Sequence, residues 1–525
     1  MTYLRLAATA AAASLCAACA STPDTRTAER WTPDEDEVAA PAVRADAVPD
    51  PSAIPLEAFE DASLTVELTP ASVPAAPQVI ALPAVPAAAE PAPSYVVASA
   101  MPTLPESLMA PQAPALLPPP AARPSASAFA AVPGRMEKLD ALRARGGVPE
   151  GATGWVLLDA ESGAVVSESA ADTGMAPASV AKIVAALAIV DTMGLDGTFR
   201  TTVLADGPVE GGVLRGDLHL VGSGDPTLSS ADMNALAAQV AASGIRSVEG
   251  RVVYHADAIP QVGRLDGDQP GRAAYNPPVG GLNVDRNLRN GAPVANAGRF
   301  AANAFRAHLG GLGITVPRGV PATGAPAGNE VAGHDSQPVS VILTQMFDES
   351  NNMTAEALGA AAAVRMGAQP SSLADAAATT TAWLQGEIGG IGGGGWSGFS
   401  LVDHSGLSRR SRVTPRQMAE IVRYGHRRHG HAFTSLYEPQ MAGNLLGSSY
   451  GVQAKIGTMR YVRGLGGMLD VGGRQTVFAI FAADPSLSAG APEGWMMKAR
   501  RLENALINDW IIALASPSDF RTAGL

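Results

Sequence analysis

A serine and a lysine stand three residues apart at the start of an apolar stretch. They are Ser179 and Lys182, and the chain continues from Lys182 as Ile-Val-Ala-Ala-Leu-Ala-Ile-Val. On a helix this spacing puts both side chains on one face, with Cβ atoms about 5–6 Å apart, so that they can share a hydrogen bond. Ser179 follows Pro177 where a helix is predicted to begin, and the free N–H groups there favour negative charge on its oxygen. A neutral Lys182 amine, its pKa lowered by burial, could take the hydroxyl proton, which makes Ser179 a candidate nucleophile.

Lysine usage adds weight to this interpretation over the alternative of a solvated surface lysine. The chain has thirty-three arginines but only four lysines, namely Lys138, Lys182, Lys455 and Lys498. Because arginine does not release its proton at accessible pH, a chain that otherwise uses arginine has a chemical reason to keep lysine where a neutral amine is needed.

Composition limits the classes of function. The 525 residues suffice for two or three domains, and the two cysteines, Cys16 and Cys19, both lie in the first twenty residues. The body of the protein therefore has no disulfide, thiol nucleophile or cysteine-ligated metal. The net charge is −12, of which the fourteen acids and four arginines of residues 21–133 supply −10, so the rest of the chain is close to neutral. Nucleic acid is therefore not expected as a partner.

The N-terminus indicates export. Residues 1–20 have one arginine, an alanine-rich apolar run and small residues, as in an export signal, and are too short for a membrane-spanning helix. Ala18-Cys19-Ala20 fits a small-x-small cleavage site, whereas residues 15–19 resemble a bacterial lipoprotein box that would make Cys19 the lipidated first residue. We favour lipidation, although Cys16 fits the box imperfectly. The predicted location is periplasmic, with a possible lipid anchor in the outer membrane. Residues 21–133 are a Pro/Ala-rich acidic stretch without apolar periodicity, and are predicted to be a disordered tether.

The remaining pattern predicts a mixed α/β fold in two parts. Strands are predicted near its two ends with helices between them, which implies a sheet closed by the first and last segments. The predicted catalytic domain is discontinuous, comprising residues 134–198 and 336–525, and residues 199–335 form an inserted accessory domain of short strands, turns and two helices. The predicted strands cover 154–159, 164–166, 452–458, 464–471 and 476–483. The predicted helices cover 230–242, 298–309, 353–365, 416–424 and 495–514.

Two further pairs follow the first in the sequence: Ser350 with Asn352, and Lys455 with Gly457. The three pairs in this order resemble the active-site serine penicillin-binding enzymes, whose signatures are Ser-x-x-Lys, Ser-x-Asn and Lys-Thr-Gly. The resemblance covers about 148–514 and is to the D-alanyl-D-alanine carboxypeptidase/endopeptidase family (peptidase family S13, penicillin-binding protein 4 type). It also rests on Gly-Ser-Gly-Asp-Pro-Thr-Leu at 222–228, Asn-Val-Asp-Arg-Asn at 283–287 and Ser-Gly-Leu-Ser-Arg at 405–409.

This resemblance implies a serine β-lactamase/transpeptidase-like domain with a central antiparallel sheet flanked by helices. Ser179 would attack the penultimate D-alanine carbonyl of a peptidoglycan stem peptide, with Lys182 as its base. Ser350, with Lys455, would pass the proton to the leaving amine. The resemblance further implies acylation by β-lactams and no cofactor.

The substrate-binding residues carried over from the family are Asn352, Lys455, Gly457 and Thr458. Asn352 would hold the substrate amide, and the N–H groups of Ser179 and Thr458 would form the oxyanion hole.

One residue departs from the family signature. Ile456 stands where the family has threonine, and its side chain cannot hydrogen-bond the terminal carboxylate of the substrate, although Thr458 could compensate. Ile456 therefore leaves open a peptidoglycan-binding module with little or no activity. A β-lactamase or esterase relative with the same fold is a second alternative. A metal at the histidines 426, 429 and 431 is not expected, because no carboxylate lies in ligand register.

Overall fold

The structure, a computed structural model, describes Val148 and residues 150–317, 319–437, 451–484 and 494–515. The predicted export signal, the lipidation candidate Cys19 and the predicted tether at 21–133 lie outside these ranges. No helix within them is both long enough and apolar enough to cross a membrane.

The described residues form strands and helices in alternating groups. The strands are β1 (Thr153–Asp159), β2 (Val165–Ser169), β3 (Arg200–Asp206), β4 (Val209–Glu210), β5 (Val213–Leu214), β6 (Asp217–Val221), β7 (Ser247–Val248), β8 (Val252–His255), β9 (Leu288–Arg289), β10 (Ala292–Pro293), β11 (Val320–Pro321), β12 (Asn329–Asp335), β13 (Gly451–Met459), β14 (Val462–Val471) and β15 (Arg474–Ala483). The α-helices are α1 (Lys182–Met193), α2 (Ser230–Ala242), α3 (Ala297–Gly311), α4 (Val339–Glu349), α5 (Asn352–Arg365), α6 (Leu373–Ile388), α7 (Pro415–His429), α8 (His431–Thr434) and α9 (Trp495–Leu514).

The main sheet joins the two ends of the described chain. Its order is β13-β14-β15-β1-β2, and every neighbouring pair is antiparallel. The predicted fold class, an antiparallel sheet with flanking helices, is therefore confirmed. Strand β13, which carries Lys455, Gly457 and Thr458, lies at the edge of this sheet, where β14 is its one neighbour among the described strands.

Alternate residues of each strand face opposite sides of the sheet, as the pleat requires. In β1, Val156 and Leu158 pack in the cluster that contains α1, whereas Trp155 and Leu157 pack against the residues of α9. The residues of α1 from Lys182 to Val190 are all buried, which fits a helix that is apolar on every side. This helix packs against α5 in the middle of the predicted catalytic domain, which is called the catalytic region below.

The predicted insert contains a second sheet with its own apolar cluster. The sheet order is β11-β8-β6-β3-β12, and α2 and α3 supply helical residues to the cluster. This sheet begins at Arg200 and ends at Asp335, inside the predicted boundaries 199–335. Ile259 and Val279 of the same insert nevertheless pack in the core of the catalytic region, so the two parts share apolar contacts.

The local predictions differ from the structure in several places. Helix α7, for example, extends to His429, beyond its predicted end at 424. Two larger differences lie around Ser179 and at α6. The chain around Ser179 forms a 3-10 turn, Ala178–Ala181, and the α-helix begins only at Lys182. Helix α6 was not predicted, although Ser372 caps it by accepting a hydrogen bond from the backbone N–H of Asp375.

Candidate active site

Two close backbone approaches hold the 3-10 turn that carries Ser179. A Cβ added to Gly457 of β13 would lie 3.0 Å from the Ser179 nitrogen, and one added to Gly406 would lie 1.7 Å from the Ala178 oxygen. Gly406 and Ala178 also have positive φ angles, of 73° and 47°. Any side chain at 406 or 457 would push strand β13 or the 403–408 loop away from Ser179.

Lys182 makes three hydrogen bonds at its amine. Its Nζ lies 2.9 Å from Ser179 Oγ, 2.8 Å from Asn352 Oδ1 and 2.7 Å from the Ser405 carbonyl oxygen. The side chain is fully buried. Burial, followed by the nearby charge of Lys455, lowers the pKa of Lys182 from 10.5 to about 7, against the opposing effect of Glu356 and Asp403. Once this amine is neutral, its lone pair can accept the proton of the Ser179 hydroxyl.

The Ser-x-Asn motif lies where α4 ends and α5 begins. Ser350 has a left-handed backbone, φ 52° and ψ 40°, and ends α4, so the chain turns sharply there. Asn351 caps α5 by accepting a hydrogen bond from the Thr354 N–H. The next residue, Asn352, directs Oδ1 at Lys182 and donates from Nδ2 to the Tyr275 carbonyl oxygen at 2.9 Å. The motif therefore reaches both the lysine and the insert.

Lys455 is joined to the Ser350 turn through a backbone oxygen. Its buried Nζ donates to the Phe347 carbonyl oxygen at 3.0 Å, and the Ser350 N–H contacts the same oxygen at 3.3 Å. The positive charge thus lies at the C-terminal end of α4, where the helix dipole is negative.

In the last part of β13, one side chain makes apolar contacts and another makes a polar contact. Ile456 is half-buried and packs against the apolar cluster on the α9 side of the sheet. Thr458 is exposed, and its Oγ1 accepts a hydrogen bond from Arg463 Nη1 at 3.1 Å. The position that differs from the family signature is therefore a packing position as well as a pocket candidate.

The structure brings together most of the predicted site residues. Ser179, Lys182 and Asn352 are linked by direct hydrogen bonds, and Gly457 lies against the Ser179 backbone. Lys455 approaches Ser350 through the Phe347 oxygen.

Glu356 is a residue of the site that sequence reasoning missed. This fully buried carboxylate on α5 accepts hydrogen bonds from the N–H groups of His404, at 3.1 Å, and Ser405, at 2.8 Å. Burial alone would raise the pKa of Glu356, but the His404 side chain and these N–H groups outweigh it and lower the pKa. An acid in the otherwise alanine-rich run 355–363 was the sequence signal that could have revealed it.

The same loop holds a second buried acid. Asp403 accepts a hydrogen bond from the Ser408 N–H at 2.6 Å, and burial, followed by the charge of Glu356, raises the pKa of Asp403 to about 7. Together the two carboxylates fix the loop whose Ser405 oxygen contacts Lys182.

Within the described ranges, no three or more His, Cys, Asp or Glu side chains are grouped so as to hold a metal ion. His429 instead lies 3.3 Å from Asp191.

The antiparallel sheet, the buried helix that begins with the lysine and the lysine-bearing edge strand define the fold of the active-site serine penicillin-binding proteins. Penicillin binding protein 4 (dacB) from Haemophilus influenzae has this fold, with a TM-score of 0.60 at 20% identity over 70% of this chain and 99% of that chain. Its structure complexed with a β-lactam gives a TM-score of 0.57.

The sequence also identifies the family. The D-Ala-D-Ala carboxypeptidase 3 (S13) family profile matches residues 135–291 and 289–503, and the chain belongs to this family. The family predicted from the motifs is therefore confirmed. A D-alanyl-D-alanine carboxypeptidase of an Actinomadura species is 38% identical over 115 residues, 22% of this chain and 21% of that protein. Carboxypeptidase DacB of Mycolicibacterium smegmatis is 30% identical over 289 residues, 51% of this chain and 59% of that protein. The chain thus spans less than two thirds of the length of either relative.

Proposed function

We propose that this protein is a serine-type D-Ala-D-Ala carboxypeptidase/endopeptidase that acts on peptidoglycan stem peptides through an acyl-serine intermediate. Family membership and the printed names of the relatives support the substrate class. The observation that carries the proposal is the 2.9 Å contact between Ser179 Oγ and a fully buried Lys182 amine whose pKa lies near 7.

In the proposed reaction, neutral Lys182 takes the Ser179 hydroxyl proton as Oγ attacks the penultimate D-alanine carbonyl carbon. The backbone N–H groups of Ser179 and Thr458 stabilise the oxyanion. The peptide C–N bond then breaks, and the leaving amine receives a proton through Ser350, assisted by the charge of Lys455. Water hydrolyses the resulting ester, which releases the shortened peptide and returns the proton to Ser179.

Two of the predicted binding residues have a role in this reaction. The amide of Asn352 would hold the substrate backbone, in place of its present bond to the insert. Gly457 leaves room for strand β13 to pass beside the nucleophile.

Acylation by a labelled penicillin tests the nucleophile, with Ser179→Ala as the control that should not be labelled. Release of D-alanine from a peptide ending in D-Ala-D-Ala tests turnover, and incubation with intact sacculi followed by analysis of the fragments separates carboxypeptidase from endopeptidase action. We expect labelling and D-alanine release by the wild type. Labelling without release would favour a weakly active binding module. Rapid hydrolysis of the penicillin would favour a β-lactamase.

We also propose that the protein is exported and held at the outer membrane by a lipid on Cys19. Incorporation of labelled palmitate into the wild type, but not into Cys19→Ala, is the expected result. A soluble periplasmic wild type without label would favour simple cleavage of the signal.

A further inference from the structure

Strand β13 passes directly beside the nucleophile, and the end of a D-Ala-D-Ala substrate must lie close to it. The carboxylate carbon of the terminal alanine is three covalent bonds from the carbonyl carbon that Ser179 would attack, at most about 4 Å away. Since that carbonyl would lie between the N–H groups of Ser179 and Thr458, the carboxylate lies within reach of side chains around Thr458. The question is which cation there receives it.

The Lys455 amine is poorly placed to bind the substrate carboxylate by itself. The residue is only 1% exposed, and its amine donates a hydrogen bond to the Phe347 oxygen at the end of α4. Ile456 supplies no hydrogen bond and packs into the apolar cluster on the α9 side. The family's usual hydroxyl is therefore missing at the place where a negative charge has to be desolvated, which costs free energy unless another donor is present.

Arg463 lies directly across the sheet from Thr458. The two residues are partners in the β13–β14 register, and Arg463 Nη1 donates to Thr458 Oγ1 at 3.1 Å. The opposite edge of the guanidinium is fixed, because Nε donates to Glu503 Oε2 of α9 at 2.7 Å. The Glu503 side chain is 3% exposed and that of Arg463 14% exposed. The buried carboxylate therefore holds the guanidinium on its inner side, while the rest of the arginine side chain has access to solvent.

The arrangement leaves donors free. An arginine side chain has five N–H groups, and these two bonds use two of them. Among the residues that the structure describes, Nη2 of Arg463 has no hydrogen-bond acceptor. A guanidinium fixed on one edge and open on the other is suited to a carboxylate, because it loses little conformational entropy on binding.

We propose that Arg463, together with Thr458, recognises the C-terminal carboxylate of the substrate and so replaces the threonine absent at 456. This specificity role rests on the proposed function. Glu503 is a positioning residue in this arrangement, since it acts on the substrate only through Arg463.

The test compares substrates with and without the terminal charge. Wild type, Arg463→Gln and Arg460→Gln are assayed with a peptide ending in D-Ala-D-Ala and with the same peptide carrying a C-terminal amide. Arg460, in the exposed turn before β14, is the matched control because its removal changes the net charge equally. We expect Arg463→Gln to lower kcat/KM for the acid about 10- to 100-fold, the value of a charge-assisted hydrogen bond, and to change the amide less than about threefold.

A second measurement keeps the test valid if peptide turnover is slow. The acylation rate with benzylpenicillin should fall in Arg463→Gln, whereas the rate with benzylpenicillin methyl ester should not, and thermal melting checks folding of each variant. An equal fall for charged and uncharged compounds, no fall for either, or the same selective fall in Arg460→Gln would overturn the assignment to Arg463. If the wild type is acylated by neither compound and cleaves neither peptide, it is the proposed function that fails.

Discussion

At the scale of single residues, the proposed reaction depends on whether the Lys182 amine carries a proton. Three acceptors surround its Nζ, which favours the ammonium form, yet burial and the charge of Lys455 lower its pKa to about 7. With a pKa near 7, a useful fraction of the Lys182 amine is neutral at neutral pH. The neutral amine is still basic enough to take the hydroxyl proton.

The acylation rate is therefore expected to depend on pH in one direction. Below pH 7 Lys182 is protonated and the rate constant with benzylpenicillin should fall about tenfold per pH unit, whereas it should level off above pH 7. Lys182→Arg should lower the plateau about 100-fold or more, because the guanidinium stays protonated. Stopped-flow acylation between pH 5 and 9 measures the pH dependence and the plateau rate, and melting curves at the same pH values check that each protein is folded. A rate that is flat across pH 7 would show that Lys182 is not the base.

The substitution Ile456→Thr addresses the departure from the family signature. A hydroxyl at 456 adds a donor for the terminal carboxylate, and we expect D-alanine release to rise about tenfold. Because Ile456 also packs against the α9-side cluster, the variant should lose about 1 kcal/mol of unfolding free energy. Carboxypeptidase kinetics and denaturant unfolding give the two values, and Ile456→Val is the control that keeps the apolar contact without a hydroxyl. An unchanged or lower rate in Ile456→Thr would remove position 456 from the binding pocket.

At the scale of elements, the loop 403–408 is held to helix α5 by a buried acid. Glu356 binds the N–H groups of His404 and Ser405, and the Ser405 oxygen in turn contacts Lys182. The carboxylate thus influences Lys182 twice, by fixing a hydrogen-bond acceptor and by its charge, which raises the pKa of Lys182.

Replacing Glu356 by Gln should separate these two effects. Loss of the charge lowers the pKa of Lys182, so the acid limb of the acylation profile should move to lower pH. Loss of the charged acceptor loosens the loop, so the plateau rate should fall about tenfold. The control is Glu349→Gln, which removes an exposed carboxylate at the end of α4 that pairs with Arg286 of the insert. An acid limb that stays at its wild-type pH would assign Glu356 a role in folding alone.

The sequence could predict those elements that depend on local pattern. Helix α2 has its predicted bounds because Ser229 and Asp232 form a capping box in front of apolar residues at helical spacing. The Ser179 and Lys182 pair could be found because both residues lie in one turn. The contact of Glu356 with His404 joins residues 48 apart, and that of Asn352 with Tyr275 joins residues 77 apart. Such contacts follow from packing of distant elements, which no local pattern encodes.

On the scale of the whole molecule, the insert reaches the candidate active site through residues 262–279. This loop is closed by a bridge between Val262 and Val279 and is stabilised inside by the fully buried Asn276, which accepts from the Asp266 N–H and donates to the Asp266 oxygen. It touches the catalytic region where Asn352 donates to the Tyr275 oxygen. In this structure the side-chain amide of Asn352, which is proposed to hold the substrate, is therefore already hydrogen-bonded to the insert.

Loosening this loop should make that amide available. A neutral hydrogen bond contributes about 0.5–1.5 kcal/mol, so Asn276→Ala, which removes the internal support of the loop, should speed acylation by benzylpenicillin about two- to tenfold. Asn329→Ala, an exposed change in the same insert at the start of β12, should leave the rate at the wild-type value. Hydrogen exchange of residues 262–279 should rise in Asn276→Ala alone, which shows that the loop has loosened without unfolding the sheet of the insert. If exchange rises while acylation slows, the loop contributes to binding instead of competing with it, because the Tyr275 contact then orients Asn352 for the substrate.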